Sequence, residues 1–184
     1  MSGADPRPPL KIRRACADDA LSIIRADKAA SELFRPTGLL SEDALADHVS
    51  ETEILASAAA RQLDVAELSG SGVVGFVQYA PIFGNLYLKQ VSVDPAFGKR
   101  GIGRALLRHL ETRAEALGFD VITLSTFRDL AWNAPFYASL GYEIIRRAEF
   151  HAYMSEIEAA QAPFMDISKR VFMRKRIRKS RIRG

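Results

Sequence analysis

The chain has 184 residues, of which 48% are hydrophobic and 26% are charged, as in an ordinary soluble domain with a sizeable core. Its one cysteine, Cys16, excludes an internal disulfide framework and is typical of a reducing compartment. The first residues contain several prolines and lack the apolar stretch of a signal peptide. No apolar run approaches the roughly 20 residues that span a bilayer. We therefore expect a cytoplasmic protein with no membrane partner.

Charge is unevenly distributed along the chain. Of its 26 basic and 22 acidic residues, nine basic and no acidic ones lie at 169–184, so the rest of the chain is acidic on balance. We predict a disordered N-terminus at 1–9, a single domain at 10–175 and a basic tail at 176–184. Such tails can attract nucleic acid. This one has no aromatic residue to stack on bases, so a solvated terminus is favoured and nucleic acid is not an expected partner.

The first third of the chain predicts one edge strand and two helices. Residues 10–14 alternate apolar and basic side chains, as an edge strand does. Two aspartates then precede a helical stretch that ends at residue 30, and acidic residues favour a helix start. Residues 34–40 contain a proline and a glycine and predict a loop. Ser41 is the expected N-cap of a second helix.

Three strands are predicted next. Residues 62–68 and 73–80 are strand-like and are joined by a short run of serine and glycine, which indicates a hairpin. After another turn, residues 86–93 form a third strand that Asp94 and Pro95 end. Three neighbouring strands with short connections predict an antiparallel meander.

The pattern then changes to a helical period. Residues 102–117 place apolar side chains at helical spacing, and Gly118 ends the run as a C-terminal glycine does. Residues 121–125 are largely apolar, which indicates a strand that is buried on both faces. Strand, helix and strand in this order predict a parallel pair with a right-handed crossover.

The remaining elements complete an α/β (α+β) fold. They are a helix at 132–140, a strand at 142–148, a helix at 152–160 and an edge strand at 169–173. An unpaired edge could pair with a second copy, so a homodimer is possible. The sum is a mixed, mostly antiparallel central sheet with one parallel pair and helices on both faces.

A glycine-rich turn between strand 86–93 and the following helix is the most informative local feature. Gly98, Gly101 and Gly103 let an anion approach the backbone closely. The first N–H groups of a helix lack internal partners and carry the positive end of its dipole. Three cationic side chains lie in the same turn: Lys99, Arg100 and Arg104. The turn is therefore a sufficient site for a phosphate.

Two common phosphate motifs do not fit this turn. A P-loop needs Lys and then Ser or Thr after its last glycine, where this chain has Arg104 and Ala105. A dinucleotide fingerprint needs a third glycine where this chain has Leu106. Spacing alone leaves a plain glycine turn at a helix start as an equal alternative.

Two segments together resemble a known family. Residues 91–107 resemble the acetyl-CoA motif of the GCN5-related N-acetyltransferase (GNAT) superfamily, usually written Arg/Gln-x-x-Gly-x-Gly/Ala. Residues 133–142 resemble the family's downstream Asn…Tyr…Leu-Gly-Phe segment. The two segments have the family's order and separation, and the predicted elements match its acyl-CoA N-acyltransferase fold over residues 10–173.

The resemblance implies a site for acetyl-CoA, which is the acetyl donor and co-substrate; no metal is implied. The strand before the glycine turn would splay from its parallel neighbour, and the pantetheine arm would pair with backbone in that gap. The implied binding residues are Val91, Ser92, Val93, Gly98, Lys99, Arg100, Gly101, Ile102, Gly103, Arg104, Asn133 and Phe136. One departure is Gly98, which stands at the family's Arg/Gln position, so backbone amides would do most of the holding.

The resemblance also implies a mechanism of direct attack by an amine in a ternary complex. The backbone N–H near Val91 would stabilise the oxyanion, and Tyr137 would be the general acid that protonates the departing CoA thiolate. The alternative for Tyr137 is a packing aromatic beside Phe136. Asn133 would either contact the pantetheine or cap a helix.

The general base and the acceptor are less well defined. Residues 86–93 contain no Asp or Glu. A water chain could relay the proton to Glu32 or Glu67, with an ordinary surface carboxylate as the favoured alternative for each, or the amine could lose its proton in bulk solvent. Candidate walls of the acceptor pocket are Phe34, Arg35, Tyr79, Phe83, Tyr87 and Phe127, with core packing as the alternative for each. Arg35 and Lys89 could favour an acceptor that bears a carboxylate.

The sequence therefore predicts an N-acetyltransferase that acts on a primary amine of a small molecule, an amino acid or a peptide. The alternative is a non-catalytic acyl-CoA sensor or interaction module on the same fold, since fold alone does not decide function. His48, His109 and His151 are far apart in the sequence and show no metal-ligand spacing.

Overall fold

A computed structural model describes residues 9–177. Seven strands form one sheet: β1 Leu10–Arg14, β2 Leu63–Leu68, β3 Gly72–Ile82, β4 Asn85–Val93, β5 Val121–Phe127, β6 Glu143–Ile144 and β7 Arg170–Arg176. Six α-helices accompany them: α1 Ala20–Ser31, α2 Glu42–Ala46, α3 Glu51–Ala59, α4 Ile102–Leu117, α5 Ala134–Ala138 and α6 Ala152–Gln161. None of these helices is both long enough and apolar enough to cross a bilayer.

The strand order is β1-β2-β3-β4-β5-β7-β6. β1 to β4 are antiparallel neighbours, β4 and β5 are parallel, and β7 is antiparallel to both β5 and β6. The α/β prediction of a mixed, mostly antiparallel sheet with one parallel pair is confirmed.

Helix α4 covers one face of the sheet because its apolar residues recur at helical spacing. Leu106, Leu110 and Ala114 are fully buried against Leu86 and Ile122 of the parallel pair. The helix ends at Gly118, whose φ of 81° is left-handed, and the N–H of the next residue returns to the carbonyl of Ala114.

The opposite face of the sheet is covered by two separate groups of helices. Ile23 of α1 and Ile54 of α3 pack with Phe76 of β3. Tyr153 of α6 packs with Phe172 of β7. Ser41 caps α2 as predicted, because its Oγ accepts a hydrogen bond from the N–H of Ala44. The predicted loop after α1 instead begins with a 3-10 helix, Glu32–Thr37.

The prediction that residues 169–173 form an edge strand is wrong. β7 lies between β5 and β6 and pairs with β5 at every position from Arg170 to Arg176. The predicted strand at 142–148 shrinks to the two residues of β6, so it covers little of the edge. The argument for a homodimer that pairs along this strand therefore no longer holds, because β7 is not an edge strand.

Residues 1–8 and 178–184 lie outside the described residues. Nearly all of the predicted disordered N-terminus and of the predicted basic tail falls there.

Candidate active site

A gap opens in the sheet between the two parallel strands. β4 and β5 pair at only three positions, Leu86 with Ile122 to Leu88 with Leu124. Beyond these positions, β4 continues to Val93 and β5 continues to Phe127, but the two strands no longer pair with each other. A register shift against β3 at Lys89 accompanies the separation, as expected of a β-bulge. The facing edges of the two strands can therefore bond an extended ligand as an added strand would.

The glycine turn lies at the open end of this gap. A short 3-10 helix, Pro95–Phe97, follows β4, and Lys99 and Gly101 then adopt positive φ angles of 59° and 82°. Among the described residues, no backbone N–H from Lys99 to Arg104 donates a hydrogen bond to the protein. Six consecutive free donors at a helix start can bind an anion.

Side chains add charge and shape to the turn. The Arg100 guanidinium lies 5.5 Å from the centre of the Phe97 ring, and the Arg104 guanidinium lies 3.4 Å from the Ser139 hydroxyl of the segment after α5. A Cβ on Gly98 would lie 3.0 Å from the carbonyl oxygen of Pro95. A side chain here would therefore press on the preceding turn, which fits the departure from the family pattern at this position.

The turn, the end of β4 and α5 lie together around Gly103. A Cβ added to Gly103 would come within 3.7 Å of the Phe136 ring and 3.9 Å of Val93. Val91 and Val93 pack on the α4 side of the sheet. Ser92 points the other way, and its hydroxyl lies 3.2 Å from Asp27 of α1. The structure thus brings the two sequence motifs together. Only the backbone of Ser92 faces this region, because its side chain points to the opposite face of the sheet.

Tyr137 lies in the buried core beside the gap. Its ring packs between those of Phe136 and Tyr142, with centroids 5.6 Å and 5.7 Å away. Burial raises the pKa of Tyr137 well above its ordinary value, while the positive charge of Arg170 acts in the opposite direction. The phenol therefore keeps its proton at neutral pH, which is the state that a proton donor requires.

Asn133 does not cap α5 through its side chain. Its Nδ2 donates to the Thr126 hydroxyl of β5 at 2.7 Å, and its Oδ1 is buried without a partner. A buried acceptor without a donor is costly, and a bound ligand with an N–H group can satisfy it.

Two carboxylates reach β4 from other elements, which the sequence did not reveal. Asp27 of α1 is 2% exposed and accepts hydrogen bonds from the N–H of Val49 and the side chains of Gln90 and Ser92. Burial raises the pKa of Asp27. Glu53 of α3 lies 2.7 Å from Lys89 at the bulge, and this hydrogen bond lowers the pKa of Glu53.

The carboxylates considered from the sequence are engaged elsewhere. Glu67 is paired with Arg13 at the β1–β2 edge of the sheet, at 2.6 Å. Glu32 and Glu42 both bond Arg35. The positive charges of Arg35 and Lys89, predicted to attract an acceptor carboxylate, are thus neutralised by the protein itself.

The predicted aromatic walls separate into two groups. Phe34, Phe83, Tyr87 and Phe127 have aromatic contacts on the face that carries α1 and α6. Tyr79 instead belongs to the core on the α4 side, where its hydroxyl donates to Asp64 at 2.8 Å. Tyr79 therefore lies on the opposite face of the sheet from the other four predicted aromatic walls.

The histidines lie apart in the structure. His48 lies 4.0 Å from Asp27, His109 lies 3.3 Å from Asp64, and His151 stacks on Tyr153. Within residues 9–177, no group of three potential ligands is placed to hold a metal ion.

Solved structures with a similar fold include enzymes of known class. The PaiA N-acetyltransferase from Thermoplasma acidophilum, solved with coenzyme A, has a TM-score of 0.71 at 16% identity, over 91% of this chain and 99% of that one. The ribosomal-protein-S18-alanine N-acetyltransferase from Escherichia coli has a TM-score of 0.63 at 17% identity, over 96% and 99% of the two chains. These likenesses establish the fold.

The sequence itself matches one family. The description of that family is "Acetyltransferase (GNAT) family", and the match covers residues 28–142, which include β4, the glycine turn, α4 and α5. Enzymes of this family use acetyl-CoA as their co-substrate. The resemblance predicted from the two motifs is confirmed, and the chain belongs to the GNAT family of acetyltransferases.

Proposed function

We propose that this protein is an N-acetyltransferase, which transfers the acetyl group of acetyl-CoA to a primary amine of a small molecule, an amino acid or a peptide. The run of six free N–H groups from Lys99 to Arg104, at the open end of the β4–β5 gap, carries the proposal. A cytoplasmic location and a single domain at residues 10–175 fit this activity.

Acetyl-CoA, the donor, would lie along the β4–β5 gap, with its pyrophosphate at the glycine turn and its pantetheine arm between the strands. Its pyrophosphate would accept hydrogen bonds from the backbone of the turn, with the positive charge of Lys99, Arg100 and Arg104 around it. Its pantetheine arm would pair with the free backbone edge of β4 near Val91 and Val93. The buried Oδ1 of Asn133 supports a contact with one of the amide N–H groups of that arm.

The transfer would then need three groups in place. The neutral amine attacks the thioester carbonyl and forms the C–N bond, which gives an oxyanion that the N–H near Val91 would stabilise. The oxyanion then collapses with cleavage of the C–S bond, and Tyr137 would give its proton to the departing thiolate. The proton that the acetylated nitrogen loses would pass through water and restore the proton of Tyr137. Positioning both reactants in one complex would supply much of the rate.

We propose Glu53 as the group that takes the proton of the acceptor ammonium, through water. The pKa of Glu53 is held below its usual range by Lys89, so it is ionised at neutral pH, and its side chain is 42% exposed. The oxygens of Asp27 are occupied by Val49, Gln90 and Ser92, and Asp27 is shielded from water. Of the two carboxylates, Glu53 is therefore the one that water can reach.

Glu53→Gln is expected to lower kcat/KM for the amine several-fold below the pKa of that amine. The loss should shrink above that pKa, because the amine then arrives already neutral. Rates measured across pH test this, with Glu51→Gln on the same helix as the matched control. An equal loss at every pH would indicate a structural role for Glu53.

Direct attack is supported by the position of the single cysteine. Cys16 follows β1, three strands from β4, which corresponds to about 14 Å across the sheet. An acetyl-cysteine intermediate would need the thiol beside the thioester. Initial rates at varied concentrations of both substrates should give intersecting double-reciprocal lines. Parallel lines, which indicate a covalent acetyl-enzyme, would contradict direct attack.

A further inference from the structure

Arg170 lies where the two parallel strands have separated. It is the first residue of β7 and is paired with Phe127, the last residue of β5. Its guanidinium lies 4.7 Å from the centre of the Phe127 ring and donates to the Ser125 hydroxyl at 3.1 Å. Ser125 is the first residue of β5 beyond the part paired with β4. The side chain therefore extends across β5 towards the gap.

The charge of Arg170 has no counter-ion among the described residues. Its Nε is shielded from solvent and has no acceptor. Its electrostatic partners are the neutral phenols Tyr87 and Tyr137, and burial lowers its pKa. Arg35 and Lys89, by contrast, are each paired with a carboxylate. A shielded guanidinium without a carboxylate is costly, so such a group indicates a ligand that supplies the negative charge.

Arg170 borders the gap from the face opposite α4. Its charge acts on the pKa of Tyr87 of β4 and on that of Tyr137 of α5. The guanidinium is therefore close enough to the proposed general acid for its charge to act on that hydroxyl.

An apolar wall stands next to this charge. The Phe34 ring lies 5.8 Å from that of Phe127 and 6.2 Å from that of Trp132. Trp132 is 45% exposed, so the wall is open to solvent on one side. The surroundings of Arg170 therefore offer one cation, one hydroxyl and a set of aromatic rings.

We propose that the acceptor of this enzyme is an amino-acid-like amine whose carboxylate binds Arg170, with its apolar part against Phe34, Phe127 and Trp132. This inference rests on the proposed acetyl transfer and names its substrate class. With the carboxylate held by the guanidinium and the Ser125 hydroxyl beside it, the amino group is free to lie in the gap near Tyr137. Arginine suits this role because its planar fork matches a carboxylate.

Matched acceptors test the inference on the unmodified enzyme. A panel of amino acids is compared with the amide and with the decarboxylated amine of each, for example phenylalanine, phenylalaninamide and phenethylamine. The amine pKa of each amino acid lies between those of its two analogues, so basicity cannot favour it over both. We expect kcat/KM to be at least ~10-fold higher for the amino acid than for either analogue.

Variants assign the selectivity to Arg170. Arg170→Met should bring the ratio of amino acid to analogue close to one, chiefly through KM, and Arg170→Lys should keep part of it. Arg128→Met, next to Phe127 and exposed, is the matched control and should keep the full ratio. A merely structural Arg170 would lower the unfolding temperature of Arg170→Met and leave the ratio intact.

The outcomes separate the two proposals. If no amine of the panel is acetylated, the proposed function fails. If amines are acetylated but the carboxylate-free analogues react as fast as the amino acids, the inference about the acceptor is wrong. It is also wrong if Arg170→Met folds and keeps the selectivity.

Discussion

Tyr137→Phe is expected to lower kcat for acetyl transfer by ~10²-fold, with the affinity for acetyl-CoA changed by no more than about twofold. The thiolate of CoA would leave without its proton donor, whereas the ring would still fill its place beside Phe136 and Tyr142. Steady-state rates measure the loss of kcat, and equilibrium binding of CoA measures whether the affinity is unchanged.

Tyr142→Phe is the matched control for that variant. Tyr142 is buried beside Tyr137 in the same core, and its hydroxyl has no hydrogen-bond partner among the described residues. Losing this hydroxyl should leave kcat near that of the unmodified enzyme. If both variants lose kcat to the same extent, packing rather than proton donation accounts for Tyr137.

The pH dependence of the rate gives a second check on Tyr137. Because burial raises its pKa above the ordinary value of 10.0, its proton stays bound throughout the usual assay range. The rate should rise with pH as the acceptor amine loses its proton, and should not fall again below pH 10 because of this tyrosine. A descending limb that Tyr137→Phe removes would mean that its pKa is lower than its burial implies.

Gly101→Ala is expected to weaken CoA binding roughly 10-fold. Gly101 has a φ of 82° and open space around its Cα, so the cost comes from backbone conformation and not from a clash. An L-residue in this conformation costs ~1–2 kcal/mol. If the turn relaxes to avoid that cost, the N–H groups of Lys99 to Arg104 no longer converge on the pyrophosphate. Calorimetric titration with CoA measures the loss.

Gly118→Ala provides the control at the other end of α4. Gly118 has nearly the same φ, 81°, and equally open space, so both variants should lose a similar free energy of unfolding. Only Gly101→Ala should lose affinity for CoA. Equal affinities in the two variants would contradict the assignment of the anion site to the turn.

The residues proposed to bind the donor could be named from the sequence because they belong to contiguous elements. The strand, the glycine turn and the first turns of α4 are contiguous, and Gly118 ends the helix by a local backbone preference. Tyr137 lies on the short helix α5, and Asn133 directly precedes that helix. Residues that act through their own backbone, or through a helix that follows directly in the chain, can be predicted from a local sequence pattern.

The residues proposed to act on the acceptor could not be named from the sequence in the same way. Asp27 and Glu53 reach side chains of β4 from α1 and α3, and Arg170 reaches β5 from the last strand; no local pattern predicts these contacts. Tyr79 lies on the same face of β3 as Val77, two residues earlier, and which helices cover that face is set by tertiary packing. The interior position of β7 did leave a signal, since Val171, Phe172 and Met173 are consecutive apolar residues, as in a strand buried on both faces.

The most direct test of the proposed activity measures both products of one reaction. The enzyme is incubated with acetyl-CoA and a panel of primary amines, free thiol is followed in time, and acetylated amine is quantified by mass spectrometry. We expect thiol and N-acetylated product in equal amounts for at least one amine, with strongly reduced amounts of both for Tyr137→Phe. Tight CoA binding with no amine acetylated would contradict the proposed activity and would favour an acyl-CoA sensor on the same fold.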